Sequence, residues 1–326
     1  MSSRNYSHVI NFALSHPWAI EPAMLPILAE ILARHVAGVD SEAEIAAALV
    51  NRANLPQPRA GSIAIIPIYG VIAPRLNAMS QMSGGTSFEA LTSQLRAAVA
   101  DKSISTIVLD VNSPGGSVAG SPEFASEVMK LRTKKPIVAQ AQYTMGSAAY
   151  YLGAAATEIV AAPSARVGSI GVYAMHNDLS AAMEKLGVKR RYISAGAGKI
   201  DGNDAEPLST DAEARLQASV DASYAQFVAS VVKGRGKGMT ADRVKNDWKA
   251  HTYDAAEALS IGMIDRIGTL DDTIARILQA SPDAADQRAA LTFTSVHDTA
   301  QEPARATAQD RVSEAELERR VFELTL

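Results

Sequence analysis

From residue 62 onward the chain alternates short β-branched apolar runs with segments of helical spacing, and few architectures accept that order. The run "SIAIIPIYGVI" at 62 to 72 suits a buried strand. "SFEALTSQLRAAVAD" at 87 to 101 offers Ser87 as an N-cap and repeats apolar residues at Leu91, Leu95 and Val99, which predicts a helix. "STIVLDV" reads as a strand, "GSVAGSPEFASEVMKLR" as a helix and "KPIVAQA" as another strand. Beyond Gly146 the pattern predicts a helix, short strands near "EIVAAP" and "VGSIGVYAMH", a helix at "DLSAAMEKLG" and a strand at "KRRYISA". A long helix from Ser209 to about Val232 follows, then a helix, turn and strand in "YDAAEALSIGMIDRIG". Alternation of this kind favours an α/β fold, a parallel sheet with crossover helices.

Three stretches divide the chain. Residues 1–61 read as a helical extension and linker, 62–279 as the main domain and 280–326 as a flexible tail with a terminal helix. In "HPWAIEPAMLPILAEILARHVAG" the charges Glu21, Glu30 and Arg34 and the prolines Pro17, Pro22 and Pro26 interrupt the apolar run. The roughly 18 clean residues of a membrane span are never reached, so no membrane anchor is expected and the chain is placed in the cytoplasm. Leu28, Ile31, Leu32 and His35 instead predict an amphipathic helix that docks on the body or on a partner. An alanine-rich helix at 41 to 52 and a linker "NLPQPRAG" lead into the domain. After Gln279 the composition turns to Ala, Asp, Gln, Thr and Arg with Pro282 and Pro303, which cannot bury enough surface to order itself. "SEAELERRVFELTL" carries Ser313 and Glu316 as a capping box.

Composition narrows the chemistry. With 326 residues, 47% of them hydrophobic, and a net charge of −4, the composition reads as that of an ordinary soluble globular protein and does not suggest nucleic acid, which would favour a basic face. The absence of cysteine excludes disulfides, thiolate zinc sites and a cysteine nucleophile together. No metal or organic cofactor is implied.

Two glycine-rich turns follow strands, where ligands bind in α/β sheets. In "DVNSPGGSVAGS", Gly115 and Gly116 would let backbone N–H groups approach a ligand and stabilise an oxyanion, or they form a plain strand-to-helix turn. In the second turn, Tyr143 to Ser147, a Ser147 that opens a helix is either an N-cap or a nucleophile with the Ala148 N–H aimed at the same point. A nucleophilic serine needs a base. Of six histidines only His176 lies near the serine in the core alternation, and it forms a triad with Ser147 and Asp178 or is a strand-end histidine. The other choice is a neutral lysine, which demands burial or a cationic neighbour. Lys199, in "ISAGAGKIDGND", fits that role or is a solvated loop lysine, and Asp201 opposes the first by favouring the charged amine.

The segments "IPIYGVI", "LDVNSPGGSV", "YTMGSAAYYLGAAA", "RVGSIGVYAMH", "ISAGAGKIDGN" and "YDAAEALSIGMID", in this order over about residues 62 to 268, resemble the protease IV or signal peptide peptidase A family of serine-lysine peptidases. The resemblance implies the Clp protease and crotonase fold, a spiral of strand-strand-helix units. It implies Ser147 as nucleophile and Lys199 as general base, 199 − 147 = 52 positions apart. Gly116 and Ala148 would supply the oxyanion hole, Ser169 would hydrogen-bond the lysine, and Gly115 and Gly146 would line an extended substrate strand. The lack of an anchoring helix and the N-terminal "NYSHVINFALSHPWAIEPAMLPILAEIL" are more similar to the phage branch, the minor capsid protein C or prohead proteases. That branch implies a ring of identical subunits inside the procapsid, in the host cytoplasm, with scaffold, portal and capsid proteins as substrates. The tail after Gln279 is short for a fused scaffold. The alternatives are a bacterial cytoplasmic peptidase, an inactive assembly protein of the same fold and a crotonase-type acyl-CoA enzyme.

Overall fold

The β-branched runs become the inner strands of a parallel sheet. The computed structural model describes residues 18–21, 59–60, 62–75, 85–236 and 238–280. In chain order the strands and helices are β1 (Trp18–Ile20), β2 (Arg59–Ala60), β3 (Ile63–Tyr69), β4 (Ile72–Ala73), β5 (Thr86–Ser87), α1 (Phe88–Ala100), β6 (Thr106–Ser113), β7 (Gly115–Ser117), α2 (Ser121–Leu131), β8 (Ile137–Gly146) and α3 (Ala148–Gly153). They continue as β9 (Glu158–Ala161), β10 (Arg166–Gly168), α4 (Ser180–Lys185), α5 (Thr210–Arg235), a π-helical turn (Arg243–Trp248), β11 (Thr252–Asp254), α6 (Ala255–Ser260), β12 (Arg266–Ile267) and α7 (Leu270–Ala280).

Among the described residues eight strands form one sheet in the order β11-β10-β8-β6-β3-β2, with β9 on β8 and β12 on β9. Four more form a second sheet, β1-β7-β4-β5. The ladders of β6 with β3 and of β8 with β6, β9 and β10 are parallel, and antiparallel β2 and β11 close the edges. Successive units share one plan: β3 and then β6 enter the large sheet, β4 and then β7 the small one, and a helix follows each time. This is the strand-strand-helix repetition that the resemblance implies.

Period-2 alternation sorts the strands' side chains onto two faces. Ile66, Ile68, Ile107, Leu109 and Ala139 join Leu91, Phe124, Val128 and Phe227 in the main core. Ile63, Val108, Val138 and Val160 point the other way, and Ile274, Ile277 and Leu278 of α7 cover them. A buried polar tie locks that helix down: Thr273 Oγ1 donates to Gln140 Oε1 at 2.7 Å, and Gln140 Nε2 donates to Gly268 O at 3.0 Å.

Ser87 caps α1 as expected, its hydroxyl accepting from Ala90 N at 3.0 Å, and Ser209 caps α5 in the same way. Elsewhere the structure corrects the reading. The helix expected from Gly116 begins only at Ser121, because Gly115–Ser117 is recruited as a strand between β1 and β4. The turn expected from Tyr143 is strand up to Gly146, so Ser147 alone separates strand from helix. "KRRYISA" forms no strand: no described strand lies beside it to pair with, and Ile193 is 95% exposed. Trp18–Ile20, expected in a helical extension, is a strand, since Pro17 and Pro22 bracket it too closely for helical hydrogen bonding. The helices expected at 28–35, at 41–52 and from Ser313, and the tail from 281 on, lie outside the described residues. Among the described residues no helix is long and apolar enough to cross a membrane.

Helix α3, which carries the candidate serine at its start, is held from behind. The Tyr151 ring stacks on Phe227 of α5 at 4.4 Å, and the Tyr150 hydroxyl donates to Met263 O at 2.8 Å. Arg132 Nη1 donates to the carbonyls of Ala155, Ala156 and Gly234 at 3.0, 2.7 and 2.9 Å, gathering α2, the end of α3 and α5 around one charge. The close approach of α5 requires a glycine, because a Cβ on Gly234 would lie 2.1 Å from Ala154 O. Gly234→Ala is therefore expected to destabilise the protein by about 1–3 kcal/mol despite alanine's better helix propensity, read as a lower urea midpoint at unchanged slope.

Candidate active site

Three parallel strands end side by side. Ser113 closes β6 opposite Met145, and Gly146 closes β8 opposite Gly168 at the end of β10. The carboxyl ends of strands are where α/β sheets bind ligands, and each of these ends leads into a candidate residue.

Ser147 follows Gly146 directly and has φ 50° and ψ −115°, which a residue with a Cβ rarely adopts. Such backbone strain is on the order of 1–3 kcal/mol and persists only where the surroundings over-determine it. Here Ser147 N donates to Gly168 O at 2.7 Å and Ser147 O accepts from Tyr151 N at 2.9 Å, so both peptide groups are pinned. The N-cap alternative fails, because the hydroxyl makes no capping bond to α3. It points instead toward Gly171 O, 3.4 Å away, and the residue is 1% exposed. Position 147 thus presents a hydroxyl that the helix does not use.

The paired glycines are shaped by backbone neighbours. Gly115 has φ 110°, and a Cβ there would lie 3.0 Å from Ala148 N and 2.2 Å from Ala19 O. Its N–H donates to Ser113 Oγ at 3.2 Å, and that hydroxyl donates to Gly70 O at 2.6 Å, which fixes the turn. A Cβ on Gly116 would lie 1.9 Å from Ile72 O, so this glycine is required by the packing of β4 as well. Ala148 opens a helix, where the first N–H groups have no intrahelical acceptor. Gly115, Gly146, Ser147 and Ala148 are therefore brought together, with Gly116 next to them in β7.

The remaining candidates stand further apart. Ser169 is half-buried with φ 55°, and its N–H donates to His251 O at 2.8 Å. Lys199 is exposed in an irregular stretch and, among the described residues, its amine makes no hydrogen bond to Ser147 or Ser169. Asp201, expected to oppose a neutral Lys199, is paired with Arg215 instead. His176 has a buried Nε2 without a hydrogen-bond partner among the described residues, while Asp178 accepts from Ser180 N at 2.9 Å. No hydrogen bond links His176 to Ser147 there, so the triad does not assemble within the chain.

Sequence reasoning missed one component. Residues 18–21 lie at the site: Trp18, Ala19 and Ile20 pair with Ser117, Gly116 and Gly115, and a Cβ on Gly146 would lie 2.8 Å from Glu21 Oε1. Burial pushes the Glu21 carboxyl above its ordinary range, against the opposing charge of Arg166. The available signal was the pair of prolines, which leaves only four residues between two positions that cannot sit inside a helix.

The class so defined is an α/β protein with a strained, buried serine at the carboxyl end of its sheet. A profile of peptidase family S49 matches residues 129–282. Capsid assembly protease C of Escherichia phage lambda is 30% identical over 303 residues, 87% of this chain and 68% of that protein. Head-tail preconnector protein GP5 of Enterobacteria phage P21 is 28% identical over 287 residues, 83% of this chain and 57% of that protein. Protease 4 of Salmonella typhi is 29% identical over 222 residues, 68% of this chain and only 35% of that protein. The chain belongs to peptidase family S49.

Glycine removes both the hydroxyl and the backbone strain at 147, whereas alanine removes only the hydroxyl. Ser147→Gly is expected to be more stable than Ser147→Ala by about 1–2 kcal/mol in chemical denaturation, the reverse of the order at a relaxed position.

Proposed function

We propose that this chain is a serine endopeptidase that hydrolyses peptide bonds through an acyl-enzyme on Ser147, with Lys199 as general base. The observation that carries the reading is Ser147 itself: buried, strained and not capping its helix, beside the Ala148 N–H. In the proposed mechanism the neutral Lys199 amine takes the Ser147 proton as Oγ attacks the scissile carbonyl. The N–H groups of Gly116 and Ala148 hold the oxyanion. The lysine ammonium then protonates the leaving amine, and a water attacks the acyl-enzyme by the same route. Ser169 orients the lysine. Each oxyanion donor of this kind is worth about 3–4 kcal/mol of barrier.

A neutral lysine has to leave water, and Lys199 in the single chain has not. In the chain leading up to it Ile193 is 95% exposed, Leu186 60% and Tyr192 40%, large apolar side chains left in solvent. We infer that a neighbouring copy covers this surface and that the dyad forms between chains of a ring, Lys199 of one meeting Ser147 of the next. The substrates proposed are scaffold, portal and capsid proteins of an assembling phage head, a reading favoured by the likeness to the capsid assembly protease of phage lambda and to the P21 preconnector protein.

Cleavage of casein or of co-expressed scaffold should fall by on the order of 10⁴–10⁶-fold in Ser147→Ala and in Lys199→Ala, while His176→Ala keeps most of it. Cleavage that survives Ser147→Ala refutes the peptidase reading. Mixing the two inactive variants tests the inter-chain dyad. Equal amounts should restore about a quarter of wild-type activity, because one interface in four then combines an intact serine with an intact lysine. A mixture that stays inactive, although its chains co-assemble, places the dyad within one chain.

A further inference from the structure

Four residues between two prolines, Trp18-Ala19-Ile20-Glu21, are held on both sides by the walls of the serine site. On one side β1 runs antiparallel to β7, with Ile20 opposite Gly115 and Ala19 opposite Gly116. On the other, Trp18 N donates to Tyr173 O at 2.8 Å and Tyr173 N to Trp18 O at 3.0 Å. Tyr173 lies two residues beyond Gly171, whose carbonyl the Ser147 hydroxyl approaches. Glu21 N closes the end by donating to Pro114 O at 3.0 Å. Ala19 O and Ala148 N flank the same face of Gly115, and the side chains of Trp18, Ala19 and Ile20 are 6%, 2% and 2% exposed. An extended segment paired on both edges is how a groove holds a peptide by strand addition, with main-chain bonds for affinity and pockets for alternate side chains.

We propose that the channel between β7 and Gly171–Tyr173 is the peptide-binding groove of Ser147 and that Trp18–Glu21 is its resident occupant, so this segment competes in cis with any peptide arriving from another chain. The sequence of the occupant then describes what the groove accepts: a bulky aromatic, a small residue, a branched aliphatic and an acid in extended order. Calling the groove a substrate groove rests on the peptidase reading above; its occupancy does not. A tethered segment acts at an effective concentration of order millimolar, enough to hold off a substrate present at micromolar levels. Substrate affinity is lowered by the fraction of chains whose groove is filled.

The test uses full-length Ser147→Ala chains and a fluorescein-labelled peptide HPWAIEPA. Anisotropy titrations compare this background with the same chain carrying Ile20→Asp, which places a carboxylate in a buried apolar pocket, and with one carrying Trp18→Gly. Either unseating change should tighten peptide binding at least about ten-fold, and a scrambled peptide should bind none of the chains. Equal affinity for all three chains, or binding to none, overturns the proposal. Should a variant fail to melt cooperatively, hydrogen exchange on the unaltered Ser147→Ala chain decides. Saturating peptide should strip protection from the amides of residues 18–21, and protection that persists makes β1 a permanent strand of the small sheet. Because every readout is taken without catalysis, failure of the peptidase reading shows separately, as casein cleavage that survives Ser147→Ala.

Discussion

Strand β8 is shared by three parallel neighbours, and the geometry of the site follows from that. Its first half pairs with β9, its last three residues with β10, and β6 runs along its other edge with a register shift after Val111. A strand tied this way cannot slide, because a one-residue slip would turn Ala139 and Ala141 out of the main core. The end of β8 is therefore a fixed point. The single hydrogen bond from Ser147 N to Gly168 O then converts that fixed point into a forced backbone conformation. Strain at Ser147 is maintained by the sheet and by α3 together, with the Tyr151–Phe227 stack and the Arg132 clamp as the buttress.

The large sheet was legible because its signal is repeated and local. Ile63–Tyr69, Thr106–Ser113 and Ile137–Gly146 are apolar runs with helices between them, and both long helices announce themselves by a capping serine. The small sheet was not legible. Its strands are two or three residues long, and β7 is Gly-Gly-Ser, which has no strand propensity of its own and is extended only because β1 and β4 flank it. "KRRYISA" failed in the opposite sense: its residues suit a strand, yet a strand needs a neighbour to pair with, and none lies beside it among the described residues.

For the site, the sequence located Gly115, Gly146, Ser147 and Ala148 by their place after strands, and these do converge. It could not show that the Ser147 hydroxyl is idle with respect to its helix, since cap and nucleophile look alike in one dimension. Lys199 was chosen by resemblance, and nothing local in "GAGKIDG" distinguishes an amine awaiting a partner from a solvated one. Residues 18–21 were hidden in a segment with apolar helical spacing, where the weight given to periodicity outran that given to Pro17 and Pro22.

The helix at 270–280 has a practical bearing on how the domain is handled. It shields Ile63, Val108, Val138 and Val160, and its leucine at 278 and isoleucines at 274 and 277 are buried against them. An expression fragment that stopped short of them would show water a continuous aliphatic stripe across the back of the sheet. Clumping of such a fragment would report a missing lid on the back of the sheet and say nothing about the end that carries Ser147.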